Sequence, residues 1–216
     1  MKKLIIYDLD GTLVDTRHDI VDAANHMVEA MGGETLSFEA VCGYVGWGLH
    51  DLVGKCLRTT DPEKIRRGGE IFRRYYSEHM LDSSALYPGA LEVLEYFKTR
   101  KQAVITNKPN PFSQSMLEKL GVARYFTDIV AGNSNYPQKP NPEALLAIMK
   151  REGILAQETL FIGDSLIDIE TGKNALIQTV VLTHGFVGEN ELKSARPDFL
   201  TENFESLLAC ARKEGW

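Results

Sequence analysis

Short apolar runs rich in β-branched residues recur along this chain, and no other feature of the sequence restricts its fold as tightly. They are Leu4–Tyr7, Ala103–Thr106, Ile129–Ala131, Leu160–Ile162 and Val180–Leu182. Each is too brief for a helix and lacks the polar alternation of a strand with one wet face. That pattern predicts parallel strands covered on both sides. Between the last four runs the apolar spacing turns helical. Asn110 with Pro111, and Asn141 with Pro142, predict helix starts in which Asn caps and Pro takes the first helical position. Gly121, following Leu117 and Leu120, predicts a helix stop. Strand alternating with helix predicts an α/β protein with a doubly wound parallel sheet.

The stretch from Thr16 to about Leu86 breaks the rhythm. Ile20, Ala23, Ala24, Met27 and Met31 follow helical spacing, and Asp61-Pro62 opens a second helix with Ile65, Phe72, Tyr76 and Met80 on one face. No strand is expected in between, and Pro88-Gly89 marks the return to the sheet. The expected organisation is an α/β core from residues 1–15 and 87–216, with a helical unit of residues 16–86 inserted after the first strand. The insert is too long for an ordinary loop. It leaves from the C-terminal edge of strand one, where open α/β sheets bind ligands, so it is placed to cover a site.

Composition narrows the function classes. Hydrophobic residues make up 44% and charged residues 25% of the chain, the balance of a soluble globular protein. No apolar stretch reaches the length of a membrane span, and Leu4–Tyr7 is too short for a signal-peptide core. The expected location is therefore the cytoplasm, with no membrane partner. Net charge is −6 and the basic residues form no tract, which argues against a nucleic-acid surface. Cys42, Cys56 and Cys210 have no paired spacing and read as reduced thiols. Monomer and small homo-oligomer both stay open.

The chemistry is concentrated at strand ends. In Tyr7-Asp8-Leu9-Asp10-Gly11-Thr12, Asp8 and Asp10 lie two apart and project to one side of an extended chain. Carboxylates this close repel, an arrangement that calls for a cation or a shared proton. Alone, such a pair is an acidic turn. The second strand, however, ends in Thr106-Asn107, Lys139 precedes a helix start, and the fourth strand ends in Gly163-Asp164-Ser165 with Asp168 four residues on. On a helix opening at Ser165, Asp164 and Asp168 can face the same space. Hydroxyl, amide, lysine and carboxylates thus recur along one sheet edge.

This set, Asp8-Leu9-Asp10-Gly11-Thr12, Thr106-Asn107, Lys139 and Gly163-Asp164-Ser165 with Asp168, resembles the haloacid dehalogenase superfamily. Within it, Val104–Pro109, Lys139–Pro142 and Val45-Gly46-Trp47-Gly48 look most like the phosphoglycolate phosphatases. The resemblance implies a Rossmann-like core with an α-helical cap domain. It implies a Mg²⁺-dependent phosphatase acting on a small phosphorylated metabolite, with 2-phosphoglycolate the expected substrate. Asp8 would be the nucleophile that becomes phosphorylated and Asp10 the general acid and base. Thr106, Asn107 and Lys139 would supply donors and charge to the phosphoryl oxygens. Mg²⁺ would be held by Asp8, the Asp10 carbonyl and Asp164, with Asp168 direct or through water; such an all-oxygen set suits this ion. Thr12, Trp47 and Ser165 are further candidates for a loop or substrate role. Trp47 reads equally as an aromatic plug facing the site or as part of the cap's own core.

Rival readings leave marks of their own. A β-phosphoglucomutase-like sugar-phosphate mutase shares the chemistry but returns the phosphoryl group to a substrate. A phosphonatase needs a Schiff-base lysine from the cap, for which Lys55 and Lys64 are candidates. A phosphorylation-controlled receiver lacks the Asp-x-Asp-Gly-Thr opening and the long insert, and a non-catalytic phosphate-binding module would show no turnover of para-nitrophenyl phosphate with Mg²⁺. A carboxylated substrate would want a cation from the cap, where Arg17, Lys55 and Arg58 are available.

Overall fold

The computed structural model describes residues 1–216. Its main sheet has six parallel strands: β1 (Leu4–Tyr7), β4 (Lys101–Ile105), β5 (Asp128–Val130), β6 (Thr159–Gly163), β7 (Gln178–Leu182) and β8 (Phe199–Thr201). They lie in the order β5-β4-β1-β6-β7-β8. The direction of strand addition reverses between β1 and β6, which leaves a crevice above their C-terminal ends. Alternation along β1 assigns each side chain to a face. Ile5 and Tyr7 join a core of 38 buried residues, while Leu4 and Ile6 enter a second core with Leu145 and Ile148. All four side chains are fully buried, each aliphatic contributing about 1.5–3 kcal/mol of burial.

The five expected strands are present, with β4 and β7 starting two residues early and Thr106 just beyond β4. Three strands were not foreseen. Strand β8 is an edge strand with only half-buried residues, so its apolar signal is weak. A two-stranded antiparallel ladder pairs β2 (Val14–Asp15) with β3 (Ala85–Leu86). β3 falls inside the stretch expected to hold no strand. Two residues a side are too few to show periodicity, yet the pair clamps the ends of the insert together.

Between β2 and β3 lie α1 (Arg17–Ala30), α2 (Phe38–Cys42), α3 (Leu49–Cys56) and α4 (Pro62–His79). Helix α4 starts as expected: the Asp61 carboxylate accepts from Glu63 and Lys64 N–H, with Pro62 in the first turn. Its residues Ile65, Phe72 and Tyr76, and Ile20, Ala23, Ala24 and Met27 of α1, are buried in the same core as one sheet face. Met31 lies past the end of α1 and is half-buried. Helices α5 (Ala90–Tyr96), α6 (Phe112–Lys119), α7 (Glu143–Glu152), α8 (Leu166–Ala175), α9 (Glu189–Ser194) and α10 (Phe204–Glu214) complete the chain. Both α6 and α7 begin one residue later than expected, with Pro111 and Pro142 in the cap position. The Asn side chains still cap: Asn110 accepts from Gln114 N–H and Asn141 from Glu143 N–H. No helix is long and apolar enough to cross a membrane.

Candidate active site

Strand β1 carries Asp8 to the crevice, and its ladder runs one residue further through Asp8 N–H to Ile162 O at 2.9 Å. The chain then turns sharply. Leu9 O accepts from the N–H groups of Thr12, Leu13 and Val14, and Gly11 adopts φ +79°. Only glycine fits there. Besides the left-handed backbone, a Cβ would lie 2.4 Å from both Asp164 Oδ2 and the Phe186 ring. The turn leaves Asp8 and Asp10 on the wall of one cavity.

Strand β6 ends in Gly163 and hands over to α8 through a capping box. Ser165 Oγ accepts from Asp168 N–H, and Asp168 Oδ2 takes Ser165 N–H at 3.1 Å, Asp164 N–H at 3.2 Å and Ser165 O–H at 2.6 Å. Asp168 Oδ1 receives Lys139 Nζ at 2.7 Å, and Lys139 also lies 2.8 Å from Asp8 Oδ1. The Asp8 contact is an ion pair without hydrogen-bond alignment, since Asp8 Oδ1 is buried and makes no hydrogen bond. Asp164 is steered by Thr12 Oγ1–H at 2.7 Å and Phe186 N–H at 2.9 Å.

Oxygens of Asp8, Asp164 and Asp168 lie within 4.8 Å of one another. Burial pushes the Asp8 carboxyl up to about 7; Asp168 adds to the push and Lys139 opposes it. Burial, then Asp168 and Asp8, raise Asp164 as well. Burial alone would depress the Lys139 ammonium, but Asp168 and Asp8 outweigh it and hold it above its ordinary value. Three buried acids face one lysine, so the cluster lacks positive charge. An oxygen-only donor set in that condition can hold a hard divalent cation. Asp8 and Asp164 keep lone pairs for it, whereas the oxygens of Asp168 are taken up by Lys139 and the start of α8.

Most expected residues meet in one cavity of about 230 Å³, lined by Asp8, Asp10, Thr106, Asn107, Lys139, Asp164 and Ser165. Thr12 and Asp168 stand behind the wall, fully buried, and act through Asp164 and Lys139. Asn107 has both side-chain donors engaged, on Gly46 O at 2.8 Å and Lys139 O at 3.0 Å, while its Oδ1 accepts Lys139 N–H. Its amide therefore places Lys139 and ties the insert to the core. The backbone N–H groups of Asp10 and Asn107 donate to no protein atom. Trp47 meets neither expectation: it is 48% exposed and does not line the cavity. No cation of the insert lines it either. Arg17 pairs with Asp15 and Lys55 with Asp51, and Lys64 is exposed on α4.

Two residues were missed. Lys108 is buried, with its ammonium 2.8 Å from Asp10 Oδ1 and 2.8 Å from the Tyr76 hydroxyl of α4. Burial opposes its charge, but Asp10 and Tyr76 hold it above the ordinary lysine value. Burial pushes the Tyr76 phenol up to about 12 against the pull of Lys108, so it stays a neutral hydroxyl. Lys108 lies in the bend that follows Thr106, its N–H donating to Thr106 Oγ1 at 3.1 Å, so no strand alternation marks it in the sequence.

The sheet order sets the Asp8, Asp164 and Asp168 cluster at the switch point, where open α/β sheets bind their ligands. The chain belongs to the haloacid dehalogenase-like hydrolases, whose family model matches residues 5–182. It is 37% identical over 215 residues to a phosphoglycolate phosphatase of Vibrio parahaemolyticus, covering 95% of this chain and 94% of that one. A phosphoglycolate phosphatase of Pseudomonas syringae pv. tomato is 33% identical, covering 96% of this chain and 79% of its own length. The crystal structure of a predicted phosphoglycolate phosphatase from Haemophilus somnus superposes with a TM-score of 0.92 at 28% identity, covering 97% of this chain and 98% of that one.

Proposed function

We propose that this hydrolase is a cytoplasmic, Mg²⁺-dependent phosphatase that cleaves 2-phosphoglycolate through a phosphorylated Asp8. One observation carries the reading: Asp8 opens into a small cavity beside Lys139 and Asp164, with Asp10 on the same wall. An Asp8 oxygen attacks phosphorus as the ester P–O bond breaks, and Asp10 gives its proton to the departing glycolate oxygen. Water then attacks the aspartyl phosphate and gives a proton to Asp10. The Asp8 O–P bond breaks, and inorganic phosphate leaves. Lys139, Thr106 and the free N–H groups of Asp10 and Asn107 stabilise charge on the phosphoryl oxygens, and Asp168 and the Asn107 amide hold Lys139 in place. Mg²⁺, held by Asp8, Asp164 and the Asp10 carbonyl, would supply further charge neutralisation at the phosphoryl group. Residues 16–86 act as a cap, since Ile20, Val45, Leu49, Phe72 and Tyr76 wall the cavity opposite the sheet edge.

The substrate reading draws on the relatives named above and on the cavity's size, below the ~300–1,000 Å³ of sites for drug-sized ligands. The phosphonatase reading loses its support, because Lys55 is tied to Asp51 at the surface and Lys64 is exposed. Measuring kcat/KM for 2-phosphoglycolate, β-glucose-1-phosphate, phosphonoacetaldehyde and a nucleoside monophosphate tests the proposal. The expected result is a clear preference for the first. Preference for another compound overturns it, and formation of glucose-6-phosphate without released phosphate identifies a mutase instead.

A further inference from the structure

Two ammonium groups line the cavity, and their surroundings differ. Lys139 is spent at the phosphoryl end, between Asp8 and Asp168. Lys108 pairs instead with Asp10 and lies over the Tyr76 ring, which packs against Phe72 and Phe112, so aromatic side chains gather on its side of the cavity. An ammonium has three donors. Asp10 and the Tyr76 hydroxyl take two of them, each at 2.8 Å, and the third is uncommitted. The insert brings no cation of its own to the wall.

We infer that Lys108, anchored by Asp10 and Tyr76, recognises a carboxylate carried on the same carbon as the phosphate ester, so that the substrate class is the 2-O-phosphorylated small carboxylic acids. This rests on the phosphatase reading above and goes beyond it by assigning the residue and the position of the second charge. A general acid works within roughly 2.6–3.2 Å of the oxygen it protonates. Lys108 touches that acid directly, so a carboxylate on its third donor lies next to the leaving oxygen. An acid group several carbons away is out of register. The donor left over by Asp10 and Tyr76 is the one that can meet the incoming carboxylate. In the apolar surroundings that pairing is screened little by water. A substrate without the carboxylate leaves the donor unmatched. Loss of a charge-assisted hydrogen bond of ~1.5–3 kcal/mol corresponds to about 10- to 100-fold in kcat/KM.

The test compares 2-phosphoglycolate with its carboxylate-free analogue 2-hydroxyethyl phosphate in the wild type, Lys108→Met and Tyr76→Phe. Losses that come from disturbing Asp10 fall on both substrates and cancel in the ratio. The wild type is expected to favour the acid by about 10- to 100-fold, and Lys108→Met to bring the two within about threefold. Tyr76→Phe, which leaves the ammonium present but less firmly held, is expected to reduce the preference part of the way through a higher KM for the acid. A preference that survives intact in Lys108→Met overturns the assignment. If that variant does not fold, an unchanged ratio in Tyr76→Phe overturns it. A preference that survives in Lys108→Met sinks this inference alone, whereas a wild type that treats the two substrates alike sinks the substrate reading with it.

Discussion

The Mg²⁺-induced gain in thermal stability is expected to grow steeply with pH. In the folded, metal-free protein burial and Asp168 push Asp8 up to about 7 against the pull of Lys139, from an ordinary 3.8. Between those values the folded chain binds one proton more than the unfolded chain, so this group's contribution falls as pH rises and is lost above pH 7. At about 1.4 kcal/mol per unit the loss is about 4 kcal/mol. Asp164, raised by burial and by Asp168 and Asp8, can only steepen it. A cation that needs ionised Asp8 must displace that proton, so its affinity drops about tenfold per unit below pH 7. With Mg²⁺ at a hundred times its dissociation constant at pH 8, the gain is about 2.7 kcal/mol, or roughly 5–10 °C in Tm for a chain of this size. At pH 5 the same concentration only matches the dissociation constant, and the gain shrinks to about 0.4 kcal/mol. Melting curves with and without Mg²⁺ at pH 5, 6, 7 and 8 read this directly. The difference is the diagnostic, because His184 is lowered by burial and shifts the bare stability in the opposite direction. Equal gains at pH 5 and pH 8 refute the reasoning, as does an undiminished gain in Asp8→Asn.

Lys139→Ala is expected to cut kcat/KM by about 10²–10³-fold, as for other lost transition-state donors. It is also expected to destabilise the metal-free fold by about 3–5 kcal/mol, because two buried carboxylates lose their common partner; rate assays beside chemical denaturation check both. Asp164→Ala is expected to raise the Mg²⁺ concentration for half-maximal activity, with full rate at low Mg²⁺ as the contrary result. Activity titrations against Mg²⁺, with chelator as the zero point, decide that case.

The parts of this molecule that could be read from the sequence are those where burial is two-sided. β1, β4, β6 and β7 are nearly all buried, so their apolar runs stand out, and the groups at their C-terminal ends fall on one edge by the pattern alone. Strand β8 and the β2–β3 stem were not readable, being half-buried or two residues long. Lys108 was hidden for a different reason. In the sequence Asn107-Lys108-Pro109 looks like a solvated loop, and its lysine is buried only because α4 lowers Tyr76 onto it across 32 residues of chain. Long-range closure of this kind leaves no local pattern. The same holds for Asn107, whose residue type promised a donor but whose amide is consumed by Gly46 and Lys139. Trp47 shows the reverse error: an aromatic between two glycines suggested a plug or a core residue, and it is neither.

Covalent catalysis at Asp8 is the centre of the account, and the phosphoenzyme itself tests it most directly. The enzyme is mixed with 2-phosphoglycolate and Mg²⁺, quenched in acid within a turnover, reduced with borohydride and digested for mass spectrometry. The reduced acyl phosphate is expected to map to Asp8, its yield to rise in Asp10→Asn, where hydrolysis of the intermediate is slowed, and Asp8→Asn to give neither adduct nor turnover. Phosphate on another residue, or product formed at the full rate by Asp8→Asn, would contradict it.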